Sequence, residues 1–575
     1  MTKRKVLGID LGTTYSCVAY VNQYGSAEVI LNQNDERTTP SVVWFDGDTA
    51  VVGREAKEMA SIHPESVCSF IKRQMGSDEY TFDVAGIQYS PEHISSLILR
   101  KLVQDAWKRL GEEIWDVVIT CPAYFFVKER DATKLAGEQA GLNVLQIVNE
   151  PTAAAVSYGV QPGEGNRGSI ILVYDLGGGT FDVTIMKVGE AGLDVICTDG
   201  DHQLGGKNWD DTLALHLAQR FTEETGIPVD PAEDMEFYYD LMHQAEEAKK
   251  HLSERQSVTV RLSHKGEQVR CEITREDFEE MTRDLLEKTV NLTLACLDIA
   301  RDQGVEYLDQ IILVGGSSKM PQVTSRLQKE FGAEPTLFDP DEAIAKGAAI
   351  IGNNIVLRED VAEQLTGDRS RSLVLDDVSD TQKAAAIEKV AQQTGFSNAI
   401  ISSALRPIRN VSSKTFGAIS TSDDLSRTVF NIIYRNTPLP CEETQSFMTL
   451  CANQSTVLVE LMENLSDRSA TYDDDLNEFM TVTDSDRYGE LFWRFNTSED
   501  ESQKLWQGEL PIQPGLPAGA PIELTYRLDE SGLLTVIARD PASGNQIVET
   551  IQTGGEHRDA GFHQTTEKCR SLVVD

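Results

Sequence analysis

The chain has 575 residues, and its 92 Asp and Glu residues against 52 Lys and Arg give a formal net charge of −40. A surface of this sign repels phosphate backbones and anionic lipids, which argues against nucleic acid or a membrane as a partner. Hydrophobic residues make up 40% of the chain and charged residues 25%, as in ordinary globular proteins. No apolar run approaches the ~18 residues that a membrane span needs, and the length predicts about three or four domains.

Cysteine usage and the first residues favour a cytoplasmic protein. The nine cysteines, from Cys17 to Cys569, include no Cys-x-x-Cys pair. We therefore predict reduced thiols in the core, with neither a disulfide framework nor a zinc site. The basic start of the chain is followed by an apolar stretch that Asp10 interrupts, which argues against a secretory signal.

A strand, a turn rich in Gly and Thr, and a second strand are predicted at Val6–Tyr20, and the same succession returns at Ile170–Val188. Glycine turns let bare backbone N–H groups approach a phosphate, and an aspartate at the mouth of the turn suits Mg²⁺ held partly through water. Asp10 and Asp175 hold this place in the two hairpins. One copy alone is equally explained as an ordinary Gly-rich hairpin. The repetition predicts two related lobes that close on a nucleotide between them.

Between the two hairpins, the sequence predicts strands and helices that alternate. Thr38–Phe45 is predicted to be a strand entered through a proline turn, Pro91–Leu110 a helix of about twenty residues, and Trp115–Thr120 a strand. Asn149–Ala155 begins a helix of small residues, which is typical of close packing on a sheet.

A third glycine turn follows at Ile311–Pro321, where an apolar strand meets Gly315 and Gly316. This turn carries no carboxylate, so contact with a nucleoside fits it better than a metal role. None of the three turns has the Gly-x-x-x-x-Gly-Lys-Ser/Thr spacing of a Walker loop.

Four segments together resemble the signature segments of the DnaK-type, seventy-kilodalton heat-shock chaperone family, within the actin and sugar-kinase ATPase superfamily. They are GIDLGTTYSCVAY, NEPTAAAVSYG, YDLGGGTFDVTI and LVGGSSKMPQV, in the family's order and at similar spacing. The resemblance covers nearly all of Met1–Gly352. It implies a two-lobed α/β ATPase domain of the actin type, a duplicated RNase H-like fold, over residues 1–355, followed by an all-β sandwich that resembles a peptide-binding domain.

The resemblance also implies a site for ATP or ADP with Mg²⁺. Asp10 and Asp175 would hold the metal, while Lys72 and Glu150 would orient the attacking water, because phosphoryl transfer depends mostly on alignment and charge neutralisation. The predicted catalytic residues are Lys72, Glu150, Asp175, Thr180 and Asp10. The predicted nucleotide contacts are Gly12, Thr13, Thr14, Tyr15, Gly177, Gly178, Gly179, Gly205, Gly206, Glu246, Lys249, Lys250, Ser253, Gly315, Gly316, Ser317, Lys319 and Asp341.

A relay between the two domains is implied as well. Pro122 and Arg130 match the family's proline and arginine that pass the nucleotide state to the partner domain. The family often has Asn-Asp at the place where this chain has Phe126 and Val127. This departure lies beside the relay and predicts a change in its tuning.

Beyond Asn354 the composition changes, and we predict a linker over residues 356–410 that contains a helical insert at Thr381–Gln393. Leu373–Val378 and Leu405–Val411 are two candidates for the leucine-rich linker of the family. The sandwich is placed at 411–552 and contains an acidic insertion at about Asn464–Gln503. The tail, residues 553–575, is too short for the helical lid that the family places over its peptide.

The sandwich would bind an extended peptide through backbone hydrogen bonds and a pocket for an apolar side chain. The residues that match this pocket are Phe416, Ala418, Phe447, Val457, Val459 and Ile522. Each of them is equally explained as plain sandwich core. Without a lid, captured peptide should leave quickly even in the ADP state.

The predicted function is that of a cytoplasmic, ATP-dependent chaperone that binds extended hydrophobic segments of unfolded proteins and controls peptide affinity through ATP hydrolysis. The expected partners are unfolded clients, a J-domain co-chaperone and a nucleotide exchange factor. Three alternatives stay open: a small-molecule kinase of the same superfamily, a polymerising actin-like structural protein, and a client-specific member of the chaperone family with altered coupling.

Overall fold

The structure is a computed structural model that describes residues 4–159, 168–189, 192–230, 233–369, 378–421, 426–465, 496–551 and 560–575. The candidate linker Leu373–Val378 lies outside the described residues except at its last position, and so does most of the acidic insertion Asn464–Gln503. None of the helices in the described ranges combines the length and the apolar content that a membrane span requires.

Two six-stranded sheets form the centre of the N-terminal part of the chain, and they share one topology. In each, the first strand of the predicted hairpin pairs antiparallel with the second and parallel with a strand that comes later in the chain. The first sheet has the order Asn143–Asn149, Asp116–Cys121, Leu7–Asp10, Tyr15–Val21 and Ala27–Val29, with Thr39–Pro40 beside Tyr15–Val21. The second has the order Thr336–Leu337, Gln310–Val314, Ser169–Leu176, Phe181–Gly189, Gly192–Asp201 and Ile408–Arg409.

Helices and small sheets cover these two sheets and form two lobes, the first lobe at residues 4–159 and the second lobe at 168–337. The first lobe has the helices Arg54–Met59, Pro91–Leu110, Val127–Gln139 and Glu150–Tyr158, the 3₁₀ turns Pro64–Ser66 and Ile71–Gln74, and the strands Val42–Asp46, Thr49–Val52, Val67–Ser69, Phe82–Val84 and Ile87–Tyr89. The second lobe has the helices Gly206–Thr225, Met235–Glu254, Arg275–Met281, Arg283–Asp302 and Pro321–Phe331, the 3₁₀ turn Gly316–Lys319 and the hairpin Ser257–His264 with Glu267–Thr274.

The helix predicted at Pro91–Leu110 is confirmed, and its ends follow from local chemistry. The Ser90 side chain accepts a hydrogen bond from the His93 N–H at the first turn, where Pro91 supplies a backbone angle suited to a helix start. Gly111 ends the helix in a left-handed conformation that glycine adopts at little cost.

The helix Ala343–Thr366 joins the two lobes. Its small residues allow close contact: a Cβ on Gly347 would lie 1.7 Å from the Ala153 carbonyl oxygen of the helix Glu150–Tyr158. The apolar residues along it belong to one core with Val118 of the first sheet and Ile171 of the second. The two sheets are therefore held together by a packed helix at the base of the space between them.

The helical insert is confirmed as the helix Asp380–Thr394, which the shorter helix Asn398–Ala404 follows. Val390 and Ile401 are buried against Val361 of the helix Ala343–Thr366. The insert therefore packs on the helix Ala343–Thr366 and on the first lobe, where Cys17 and Val21 belong to the same core. The helix Ala343–Thr366 continues past the predicted domain end at residue 355.

Two antiparallel sheets of five and four strands form the second part of the chain. Along the strand Pro521–Leu528, alternate side chains such as Leu524 and Tyr526 are buried between the sheets, as the period of a half-buried strand requires. The first sheet has the order Asn496–Thr497, Arg427–Ile433, Phe416–Thr421, Thr456–Asn464 and Ser502–Pro511, with the 3₁₀ turn Glu499–Glu501, and the second has Cys441–Met448, Pro521–Leu528, Leu534–Arg539 and Gln546–Thr550.

This sandwich, residues 410–551, lies against both lobes. The Val127 N–H of the first lobe donates to the Glu463 carboxylate of the sandwich at 3.2 Å, and Arg435 of the sandwich lies 3.2 Å from Asp199 of the second lobe. The last described segment forms the helix Ala560–Ser571 and the strand Val573–Val574 on the first lobe. Of the predicted tail, residues 553–559 lie outside the described residues.

Candidate active site

A cleft of about 540 Å³ opens between the two lobes, where the turns of both hairpins and the third glycine turn meet. The predicted residues that line it are Asp10, Gly12, Thr13, Thr14, Tyr15, Lys72, Glu150, Asp175, Gly177, Gly178, Thr180, Glu246, Lys249, Lys250, Ser253, Gly315, Gly316, Ser317, Lys319 and Asp341. The tertiary structure thus brings residues that are more than 300 positions apart in sequence to one cavity.

Gly179, Gly205 and Gly206 are the predicted contacts that do not line the cleft, and they shape one of its turns. The Gly206 N–H donates to the Gly177 carbonyl at 2.9 Å. A Cβ on Gly205 would lie 2.5 Å from the backbone of Gly179, so only glycine fits there. These residues support the second hairpin turn from behind.

The two hairpin turns face each other across the cleft. A Cβ on Gly178 would lie 2.0 Å from the Thr14 Oγ1, and one on Gly179 would lie 2.3 Å from the Thr13 Oγ1. Arg73 of the first lobe donates from Nε and Nη2 to the Gly179 carbonyl at 3.0 and 2.8 Å. Bare N–H groups and two threonine hydroxyls are thus available to a phosphate chain from both sides.

Three carboxylates and one ammonium group occupy the floor of the cleft. The Lys72 Nζ donates to Glu150 Oε1 at 2.5 Å, and both side chains are buried. Burial and the charge of Glu150 raise the pKa values of Asp10 and Asp175. Burial alone would lower the pKa of Lys72, but Glu150 and Asp10 outweigh it and raise that pKa. The ammonium therefore stays charged, and it cannot neutralise three carboxylates by itself.

This donor set fits a hydrated Mg²⁺ ion. Among the described residues, Asp175 Oδ2 is buried and receives no hydrogen bond, and the Thr120 hydroxyl donates only a long hydrogen bond of 3.5 Å to Asp10 Oδ1. Within the same part of the chain, no three Asp, Glu, His or Cys side chains are close enough to enclose a metal directly. Mg²⁺ commonly keeps several waters and uses only one or two carboxylates, so such an ion suits the two aspartates.

The other end of the cleft is built on the helix Met235–Glu254. Glu246 accepts a hydrogen bond from the Tyr15 hydroxyl at 3.2 Å, and Lys249 pairs with the buried Asp210 at 2.7 Å. Burial would raise the pKa of Glu246, but Lys57 and Lys250 lower it to about 2. The Ser253 hydroxyl is turned to the Lys249 carbonyl at 3.1 Å.

Several lining residues were not predicted. Thr38, Asp210, Met320, Pro340 and Ile344 also line the cleft, and the apolar pair Met320 and Ile344 lies near the third glycine turn. From the first lobe, Lys57 contacts the cleft residue Glu246, and Arg73 contacts Gly179 in the second hairpin turn. Met320 belongs to the third glycine turn, and Thr38 opens a predicted strand, but no local pattern shows that these side chains face a cleft.

The predicted relay pair lies between the cleft and the sandwich. Arg130 donates to the Ala123 carbonyl at 2.8 Å, to the Pro122 carbonyl at 3.5 Å, and to the Ser531 carbonyl of the sandwich at 3.4 Å. The Lys72 Nζ lies 5.9 Å from the centre of the Phe125 ring, and the Phe125 carbonyl accepts a hydrogen bond from Arg130. Contacts therefore run without interruption from the cleft to the sandwich.

Phe126 and Val127, which depart from the family's pattern, are interface residues. The Lys414 ammonium of the sandwich lies 4.3 Å from the centre of the Phe126 ring, and the Val127 N–H bonds to Glu463. The departure thus changes residues that touch the sandwich directly.

The six predicted peptide contacts lie in the sandwich at two depths. Phe416, Ala418, Val459 and Ile522 are buried in its core, while Phe447 and Val457 are half-buried against it. The adjacent residues of the same strands, Met448 and Leu458, are 75% and 53% exposed and lie on the opposite faces of their sheets.

Known proteins resemble the chain over almost its whole length. A family model described as "Hsp70 protein" matches residues 6–405. Proteins named "Chaperone protein DnaK" from two strains of Halobacterium salinarum are each 35% identical to the chain over 582 residues, which cover 99% of this chain and 78% of the relative.

Proposed function

The chain belongs to the Hsp70 family and is an ATP-dependent chaperone and ATP hydrolase, and on this premise we propose how its parts divide the work. The two lobes form an actin-like ATPase domain, and the sandwich binds extended, apolar segments of unfolded polypeptides. The observation that carries the proposal is the Lys72–Glu150 pair, which lies with Asp10 and Asp175 between two lobes of equal topology.

In the proposed reaction, Asp10 and Asp175 would hold hydrated Mg²⁺, and the ion would neutralise charge on the phosphates. Thr13, Thr14, Thr180 and the glycines 177–179 contact the phosphate chain through hydroxyl and N–H groups. Lys72 stabilises the charge that develops at the transferred phosphoryl group, and Glu150 positions the attacking water. The helix Met235–Glu254 and the third glycine turn bind the adenosine.

The sandwich would take the peptide beside the half-buried Phe447 and Val457, with Phe416, Ala418, Val459 and Ile522 forming the apolar base. Pro122 and Arg130 would pass the nucleotide state to the sandwich along the contacts to Ser531. We also propose a cytoplasmic location, which the nine free cysteines support, and partnership with a J-domain protein and an exchange factor. The kinase and polymer alternatives gain no support, since neither accounts for the sandwich.

The test is the rate at which a fluorescent, apolar heptapeptide dissociates from the full chain in ATP and in ADP. We expect faster dissociation in ATP, because hydrolysis controls peptide affinity. Equal rates in the two nucleotides would contradict the proposed coupling. Phosphate transfer from ATP to a sugar in place of water would contradict the assignment of the cleft.

A further inference from the structure

Residues 560–575, which we call the strap, are docked on the first lobe by backbone and side-chain contacts. The strand Val573–Val574 pairs in parallel with Thr49–Val52, so that Val573 lies opposite Thr49. The Val573 N–H donates to the Asp48 carbonyl at 3.1 Å, and the Val52 N–H donates to the Asp575 carbonyl at 2.8 Å. The strap thus covers the edge of a small sheet that would otherwise expose unpaired N–H and C=O groups.

The helix of the strap is anchored by its last turn. Cys569 and Leu572 are buried in the core of the first lobe. Arg100 of the helix Pro91–Leu110 donates to the Cys569 carbonyl at 2.7 Å and to the Leu572 carbonyl at 2.5 Å. Both carbonyls lie at the end of the strap helix, where intrahelical donors become few, so the arginine supplies them with donors and fixes the position of the strap.

The first turns of the strap helix contact the first lobe through fewer side chains than the last turn does. The Phe562 ring packs on the His93 ring with 4.6 Å between centres, and His93 Nε2 lies 3.0 Å from the Thr566 hydroxyl. Lys568 pairs with the exposed Asp48 at 2.7 Å, which contributes little because water screens the pair. Docking therefore depends mainly on the buried Leu572 and Cys569.

The strap limits how far the sandwich can move from the first lobe. The sandwich ends at Ile551, which is buried in its core, and only the eight residues 552–559 connect it to the strap. Fully extended, this connection reaches about 30 Å. At its other end the sandwich follows Ile408–Arg409, which pairs with the second-lobe strand Gly192–Asp201. The sandwich is thus tied to the first lobe by one end and to the second lobe by the other.

We propose that the strap is an intramolecular restraint that keeps the sandwich beside the two lobes in both nucleotide states. A short connection holds an undocked domain at a high effective concentration near its docking surface and favours return to it. Nucleotide turnover then loosens and re-forms the contacts of Glu463 and Arg435 without a wide separation of the domains. This proposal rests on the proposed function, because the two nucleotide states are the ATP and ADP states of the proposed ATPase cycle.

The test measures energy transfer between dyes on the exposed Cys451 of the sandwich and on a Lys108→Cys substitution in the exposed end of a first-lobe helix. Leu572→Asp places a charge in the core and should release the strap. The matched control is Val573→Asp, since Val573 is the next residue and is 63% exposed. We expect wild type and Val573→Asp to show the same transfer efficiency in ATP and ADP, and we expect the transfer efficiency of Leu572→Asp to fall at least twofold in one or both nucleotides.

Transfer that stays high in both nucleotides for Leu572→Asp would overturn the proposal, and so would a wild-type protein that separates in either one. Low transfer for Leu572→Asp in both nucleotides would support the restraint and would contradict the proposed loosening of the Glu463 and Arg435 contacts by nucleotide turnover. Because Leu572→Asp could unfold the lobe, a second protein carries a protease site within residues 552–559. Cleavage there should lower the transfer efficiency to the same extent and in the same nucleotide as Leu572→Asp does, and unchanged transfer after complete cleavage would overturn the proposal.

Discussion

The Glu246 carboxylate of the second lobe lies 2.6 Å from the Lys57 ammonium of the first lobe, and the pair bridges the mouth of the cleft. The Tyr15 hydroxyl contacts both side chains, at 3.2 Å from Glu246 and 2.9 Å from Lys57. Because these contacts join two bodies that must separate for a nucleotide to leave, they oppose opening of the cleft.

Lys57→Ala should therefore speed ADP release. Loss of this partly buried pair is worth about 1 kcal/mol, which corresponds to roughly a fivefold faster release. Stopped-flow displacement of a fluorescent ADP measures the rate. Lys265→Ala serves as the control, because Lys265 pairs with Asp234 within the second lobe. A release rate equal to that of wild type would show that the bridge does not limit opening.

Lys72→Ala should lower the rate of ATP hydrolysis by about 100-fold or more, since it removes the ammonium that lies beside Glu150 on the floor of the cleft. Single-turnover hydrolysis at saturating ATP separates this effect from nucleotide binding.

The control for this variant is Lys101→Ala. Lys101 is also buried and also pairs with a carboxylate, Asp105 at 3.1 Å, but it lies in the helix Pro91–Leu110 away from the cleft. Its replacement should lower the free energy of unfolding and leave hydrolysis near wild type. Normal hydrolysis by Lys72→Ala would remove the catalytic assignment of Lys72.

Arg130→Met should uncouple the two domains. The variant loses the bonds to the Ala123 carbonyl and to the Ser531 carbonyl of the sandwich while the cleft itself is untouched. We expect basal hydrolysis to change little and stimulation by an apolar peptide to disappear. Thermal unfolding should accompany the assay, because a buried arginine also contributes to stability. Full peptide stimulation in a folded Arg130→Met protein would contradict the relay.

Stability should depend on pH through Glu463, which is fully buried at the interface. Burial raises its pKa from the usual 4.5 to about 7. The folded protein therefore holds a proton there that the unfolded chain releases above pH 4.5, so this contribution to stability falls as pH rises towards 7 and then levels off.

Glu463→Gln cannot ionise and keeps an acceptor for the Val127 N–H. As pH rises from 5 to 7, the unfolding midpoint of Glu463→Gln should rise relative to that of wild type. Above pH 7 the difference between the two midpoints should stay constant. Unfolding curves of both proteins at matched ionic strength measure this. A difference that does not vary with pH would show that Glu463 is ionised in the folded protein.

Much of the N-terminal part could be predicted because its signals are local. The hairpins at Asp10 and Asp175, the helix Pro91–Leu110 and the helical insert follow from glycine turns, caps and apolar periodicity over short stretches. The linker candidate Leu373–Val378 and the bounds of the domains stay predictions.

By itself, the sequence determined that two like hairpins exist and that each carries an aspartate, since a few neighbouring residues decide a turn and the face on which a strand is buried. Only the tertiary structure decided that Lys57, Arg73 and Asp210 reach the cleft and that residues 560–575 dock on the first lobe and not over the sandwich. Those contacts join segments separated by tens to hundreds of residues, and they depend on how whole elements pack against one another. No local pattern records such packing.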